Sequence, residues 1–255
     1  MPHRTMSARA RLITAVLLGS AASLLLAGPL AAQNAPRAMP DWSGVWTSDQ
    51  GLNIDPSTKS GQPQPNAPLN AEWAQRYRDT LQARVLGKPI QDLGCLPEGP
   101  PRISRAGYPL EIVITSKQTW LFHEFKHEVR RIYTDGRKVP ADVDPSYEGY
   151  STGRWEGDTL VFDTVALKAG TLDSGGLAHS DALTLHERLR RVDADTLQDQ
   201  ITMTDPRMFT KPWTVTREYK IKKDWEIKEF ICEENDRNPI QADGKTGFVP
   251  QGKTQ

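Results

Sequence analysis

The sequence predicts a mainly β protein: an antiparallel up-and-down β-barrel with one helix after the first strand. Three observations predict it. From residue 111 to residue 232 the chain breaks into short runs in which apolar side chains recur at every second position, the period of a half-buried strand. Tight-turn sequences separate most of these runs, among them Thr134-Asp135-Gly136, Glu156-Gly157-Asp158 and Asp193-Ala194-Asp195. Strands so numerous and so closely joined form a meander, and closing a meander removes its exposed edges.

The elements follow in chain order. Arg4, Arg9 and Arg11 precede an almost uncharged apolar run over 12–26, which ends at Gly28-Pro29-Leu30-Ala31-Ala32-Gln33. A basic start, a short apolar centre and small residues after it predict a secretory signal peptide over 1–33. The run is too short for a membrane span, and Pro29 stands where a lipid anchor needs cysteine. A single β-barrel domain over 34–255 is therefore expected in the periplasm or secreted, with no stable membrane insertion after cleavage. Gly44-Val45-Trp46 opens the first strand, and 48–69 reads as irregular. Asn70 caps a helix reaching about residue 86, with Trp73, Tyr77, Leu81 and Val85 four apart and Gly87 and Pro89 stopping it. Strands follow over 111–115, 119–125, 128–133, 149–155, 159–166, 182–191, 196–204, 213–222 and 226–232. The connections 135–148, 168–181 and 205–212 exceed a hairpin turn, and loops of that length often carry function.

Composition narrows the chemistry. The chain has 32 basic and 32 acidic residues, and losing the three leader arginines leaves a net charge near −3. Such balance gives no footing for nucleic acid or an anionic membrane. No phosphate-cradling glycine loop is present, so no organic cofactor is expected. Cys95 and Cys232, the two cysteines of the chain, are expected to form one disulfide outside the cytoplasm.

Three sets of residues could carry function. His123-Glu124-Phe125-Lys126-His127 fits the zinc motif His-Glu-x-x-His, which works only on a helix. Local composition argues strand, where His123 and His127 would lie roughly 13 Å apart, so no metal is expected there. Next, strand periodicity puts Glu187 among Leu183, Leu185 and Leu189; Asp199 among Leu197, Ile201 and Met203; and Arg217 among Trp213, Val215, Tyr219 and Ile221. Buried charges demand partners, so Arg217 should pair with Glu187 or Asp199, either to fix register or to line a ligand cavity. Third, the long loops hold His179 and Asp181, a candidate acid–base pair, and Tyr150 beside the first loop as a ligand contact.

Two resemblances add expectations. The Gly44-Val45-Trp46 strand, the early helix and the meander resemble the calycin barrels, lipocalins and fatty-acid-binding proteins, which implies a cup for one small apolar molecule. Arg130-Arg-Ile-Tyr-Thr-Asp-Gly-Arg137, Gly153-Arg-Trp-Glu-Gly-Asp-Thr-Leu-Val-Phe-Asp-Thr164, His179-Ser-Asp-Ala-Leu-Thr-Leu-His-Glu-Arg188 and Phe209-Thr-Lys-Pro-Trp213 resemble an uncharacterised family of secreted bacterial proteins. No activity travels with that resemblance.

The expected function is binding of a small, largely apolar ligand inside the barrel, with Glu187, Asp199, Arg217, Tyr219 and Tyr150 as contacts. The alternative is a cofactor-independent hydrolase, lyase or isomerase using His179 and Asp181. A zinc hydrolase through His123 and His127 comes third.

Overall fold

The computed structural model describes residues 39–59, 62–88, 94–105, 107–173 and 175–232. The expected signal peptide and most of the lead-in lie outside the described residues. Among the described residues, eleven strands and one α-helix make up the regular structure: β1 Val45–Thr47, α1 Ala71–Val85, β2 Leu110–Ile114, β3 Gln118–His123, β4 Val129–Tyr133, β5 Tyr150–Glu156, β6 Thr159–Val165, β7 Gly170–Thr171, β8 Ala178–His179, β9 Thr184–Asp193, β10 Thr196–Thr204 and β11 Trp213–Lys222. Nine of the strands close into a barrel in the order β1-β11-β10-β9-β6-β5-β4-β3-β2, and β7 and β8 form a separate small hairpin. Closure comes through β1, which pairs antiparallel with β11 on one side and β2 on the other.

Two expectations about the sheet are corrected. It is mixed, because β4 and β5 run parallel, with Ile132 opposite Ser151 and Tyr133 opposite Thr152. A two-residue turn forces antiparallel pairing, but the connection over 135–148 is long enough to carry the chain back to the end where β4 began. The run 226–232 is not a strand of the barrel. The two edges of β11 are already taken by β10 and β1. Backbone N–H groups of this run donate to side chains instead, Lys228 to Glu124 and Phe230 to His127.

Helix α1 starts at the expected cap, the Asn70 side chain accepting from the Trp73 N–H at 3.0 Å. Tyr77 is buried, while Trp73 and Leu81 are partly buried against the same apolar cluster. Val85 faces solvent at 86% exposure, against expectation. Steps of four residues on a 3.6-residue helix drift by about 40° each, so three steps carry Val85 off the buried face.

Inside the barrel two apolar clusters sandwich a charged belt. One contains Leu185, Ile201, Met203, Trp213 and Val215, covered by α1 residues. The other contains Trp46, Leu121, Ile132, Phe162, Leu189, Leu197 and Tyr219. On β9, β10 and β11 the residues lying between the two clusters are Glu187, Asp199 and Arg217, each at most 4% exposed. The lumen at this level is packed with the protein's own charged side chains.

The Cys95–Cys232 disulfide forms, with Cα atoms 5.6 Å apart across a separation of 137 residues. Just beyond Cys95, Arg102–Arg105 form a fully buried 3-10 turn whose Ser104 carbonyl accepts from the Tyr219 hydroxyl. Glu98 anchors this segment through Arg102, Arg105 and Lys126. Burial pushes the Glu98 carboxyl up, but the three cations outweigh it and hold the group below its ordinary value.

Candidate functional site

The belt is built around a residue the sequence reading did not select. Arg130 on β4 alternates inward with Ile132, and its guanidinium grips both oxygens of Glu187 and donates to the Thr164 hydroxyl at 2.7 Å. Thr164 in turn bonds Ser151 at 2.8 Å. The expected pairing of Arg217 with Glu187 or Asp199 is therefore corrected. Arg217 donates to the Asn53 and Gly51 carbonyls and to the Ser48 hydroxyl, at 2.8 to 3.1 Å. Asp199, opposite Arg217 in the ladder, lies against Glu187. Burial first, then the Glu187 charge, pushes the Asp199 carboxyl well above its ordinary value. The period-two pattern that exposed Glu187 was equally present at Arg130.

His123 and His127 diverge. β3 ends at His123, which is buried, and residues Phe125–His127 form a 3-10 turn rather than a strand, with Lys126 and His127 at positive φ. His127 accepts from the Phe230 N–H at 2.9 Å. Among the described residues no group of three or more His, Cys, Asp or Glu is placed to hold a metal ion.

Burial, then the nearby Arg130 charge, lowers the His123 imidazole to about 3. The unfolded histidine binds its proton near 6.5 and the folded one does not, so this group withdraws stability as pH falls from about 6.5 toward 3. His123→Phe should lose about 3 kcal/mol less stability than wild type between pH 7 and pH 4. Urea midpoints across that range check it, and parallel curves for the two proteins would refute it.

The candidate pair His179 and Asp181 is not brought together. His179 is buried, its ring Nδ1 at 2.9 Å from the Ser180 carbonyl, while Asp181 is exposed and bonds Arg207 at 2.5 Å. Ser180 is held by Asp205 through its N–H and its hydroxyl.

A concave site lies in the barrel wall instead, at the parallel seam. Only two residue pairs join β4 to β5, so Val129–Arg131 have no β5 partner and the strands part there. The gap is a pocket of about 390 Å³ walled by Trp120, Arg131, Tyr133 and Tyr150, with Glu148 and Ser151 on its inner side. Tyr150, selected from the sequence, is in it; Glu187, Asp199, Arg217 and Tyr219 are in the packed interior. The walls form a layered array. Arg131 lies 4.0 Å over the Trp120 ring and 5.8 Å from the Tyr133 ring, and Tyr133 stacks on Tyr150 at 5.1 Å. Arg131 donates to the Tyr133 hydroxyl and makes no ion pair among the described residues.

The inner side carries a carboxyl pair. Glu128 accepts from the Glu98 N–H at 2.5 Å and the Gly99 N–H at 2.8 Å. Gly99 has φ +64°, and a Cβ there would overlap the Tyr147 carbonyl, so glycine is required for the grip. Both Glu148 oxygens are buried with no donor among the described residues. Its neighbour is the Glu128 carboxyl, and a hydrogen bond joins the two once one of them is protonated. Burial, then Glu148, pushes Glu128 up to about 8. No family model matches the chain, and no curated protein matches it.

Proposed function

We propose that this is a periplasmic or secreted barrel protein, of the secreted family its sequence strings resemble, that binds a small aromatic carboxylate in the β4–β5 seam. The observation that carries the reading is Arg131, a cation set between aromatic rings on a pocket wall with no carboxylate partner among the described residues. A ring can stack against Tyr133, Tyr150 or Trp120 while its carboxylate meets the guanidinium. The volume suits a molecule of one or two rings. The disulfide supports a location outside the cytoplasm, and among the described residues no helix is long and apolar enough to cross a membrane. Compared with the cup expected from the sequence, the ligand stays small and largely apolar but moves from the lumen to the wall.

The test uses 3-phenylpropanoate and its neutral counterpart 3-phenylpropan-1-ol, followed by tryptophan fluorescence and calorimetry. Saturable binding of the acid is expected. Losing a charge-assisted hydrogen bond of about 1.5–3 kcal/mol, Arg131→Gln should weaken it roughly 10- to 100-fold. Affinity for the alcohol should hardly change. Equal losses for acid and alcohol, or no saturable binding by wild type, would sink the reading.

A further inference from the structure

We propose that the ligand of the seam is the carboxyl end of a peptide, an aromatic last residue preceded by glycine or alanine, which adds to β4 as a short parallel strand. The inference rests on the binding reading above and names the class of molecule that brings the ring and the carboxylate.

A simple ring acid would leave part of the slot unused. The His123 N–H donates to the Glu128 carbonyl and the Thr134 N–H to the Lys117 carbonyl, so the residues just before and after β4 turn their main-chain groups toward β3. By alternation Arg130 and Ile132 do the same, while Val129 and Arg131 turn theirs toward the seam. β5 pairs with Ile132 and Tyr133 but offers no ladder partner to Val129–Arg131. Val129 and Arg131 both line the pocket, and Val129 is exposed. An uncovered stretch of strand edge is a template for an added strand, whose N–H and C=O groups complete the ladder.

The shape of the slot decides which part of a peptide enters. Ile132 opposite Ser151 closes it at one end, so a chain must stop there rather than pass through. Arg131 stands next to that closed end, and a cation there takes the carboxyl terminus. The peptide therefore runs parallel to β4, entering at Val129. A residue opposite Arg130 donates its N–H to the Val129 carbonyl and accepts from the Arg131 N–H on its own carbonyl. Its side chain points inward, as that of Arg130 does, onto Glu148 and Ser151, which leaves room for glycine or alanine alone. The last residue falls opposite Arg131. Its ring turns outward among Trp120, Tyr133 and Tyr150, and its carboxylate meets the guanidinium.

Calorimetry with acetyl-glycyl-phenylalanine tests this, because 3-phenylpropanoate is its last residue stripped of the amide nitrogen. The full chain should bind the peptide about tenfold or more tightly than 3-phenylpropanoate, through the two added main-chain hydrogen bonds. Two analogues should each lose about tenfold: the C-terminal amide, which lacks the carboxylate, and the N-methylglycyl peptide, which lacks the N–H that the Val129 carbonyl accepts. Acetyl-leucyl-phenylalanine should bind about tenfold or more weakly than the glycyl peptide, since a branched side chain overpacks the inner wall. If 3-phenylpropanoate binds and the glycyl peptide binds no tighter, the peptide inference is overturned and the binding reading stands. Equal affinity for acid and amide, for glycyl and N-methylglycyl peptides, or for glycyl and leucyl peptides also overturns it. If neither 3-phenylpropanoate nor the glycyl peptide binds, both proposals fall.

Discussion

Arg130→Met should lower unfolding stability by about 3–5 kcal/mol, the range found when one partner of a buried ion pair is removed. The guanidinium sits at 2% exposure and is the donor to both Glu187 oxygens, so its loss leaves a carboxylate in a site with no water to replace it. The damage should spread. Asp199 already lies against Glu187, and its carboxyl is pushed well above its ordinary value by burial and then by that neighbour. Without Arg130 the two carboxyls are left with the weaker attraction of Arg217. The companion variant Arg130→Met/Glu187→Leu removes both members and should recover most of the loss, because apolar side chains of similar volume replace charges that were costly to bury. Guanidinium chloride unfolding of the two variants checks this. A loss below about 1 kcal/mol for Arg130→Met would mean that the pair behaves as an exposed one, contrary to the belt described above.

Removing the disulfide should have an effect of the same order. Closing a loop of 137 residues restricts the unfolded chain by roughly 5 kcal/mol in the chain-entropy description. The Cys95→Ala/Cys232→Ala variant should lose that amount in denaturant unfolding, and wild type unfolded under reducing conditions should match it. The loss has a local side as well. Cys95 stands three residues before Glu98, whose N–H with that of Gly99 holds Glu128 in place. The double variant should therefore also show faster amide hydrogen exchange at Glu98 and Gly99 than wild type when both are folded. Stability within about 1 kcal/mol of wild type would show that the unfolded chain is already restricted by other contacts.

How far the sequence could be read depended on the range over which each feature is decided. β10 and β11 begin and end where the alternating pattern predicts, since each carries its own period and is bounded by its own turn. Glu187, Asp199 and Arg217 point inward as predicted, for the same local reason. Their partners were not legible. Asp199 and Arg217 do face each other across neighbouring strands, yet Arg217 bonds the loop over 48–53 and Glu187 bonds Arg130, 57 residues away in the chain. The His123–His127 segment differs from its expected form for another local reason. The strand expected over 119–125 ends at His123, where a turn with two positive-φ residues takes over.

Side-chain alternation is a property of the extended backbone, so the sequence alone determined most of the barrel strands, the faces they bury, the capped helix and the charged character of the interior. Which charges meet is set by closure of the sheet, because β1 joins β2 and β11 only after the whole chain is laid down. The seam pocket belongs to the same class of feature. It exists because β5 returns parallel to β4 and pairs over just two residues, leaving Arg131 and the aromatic rings at an opening that no local pattern records.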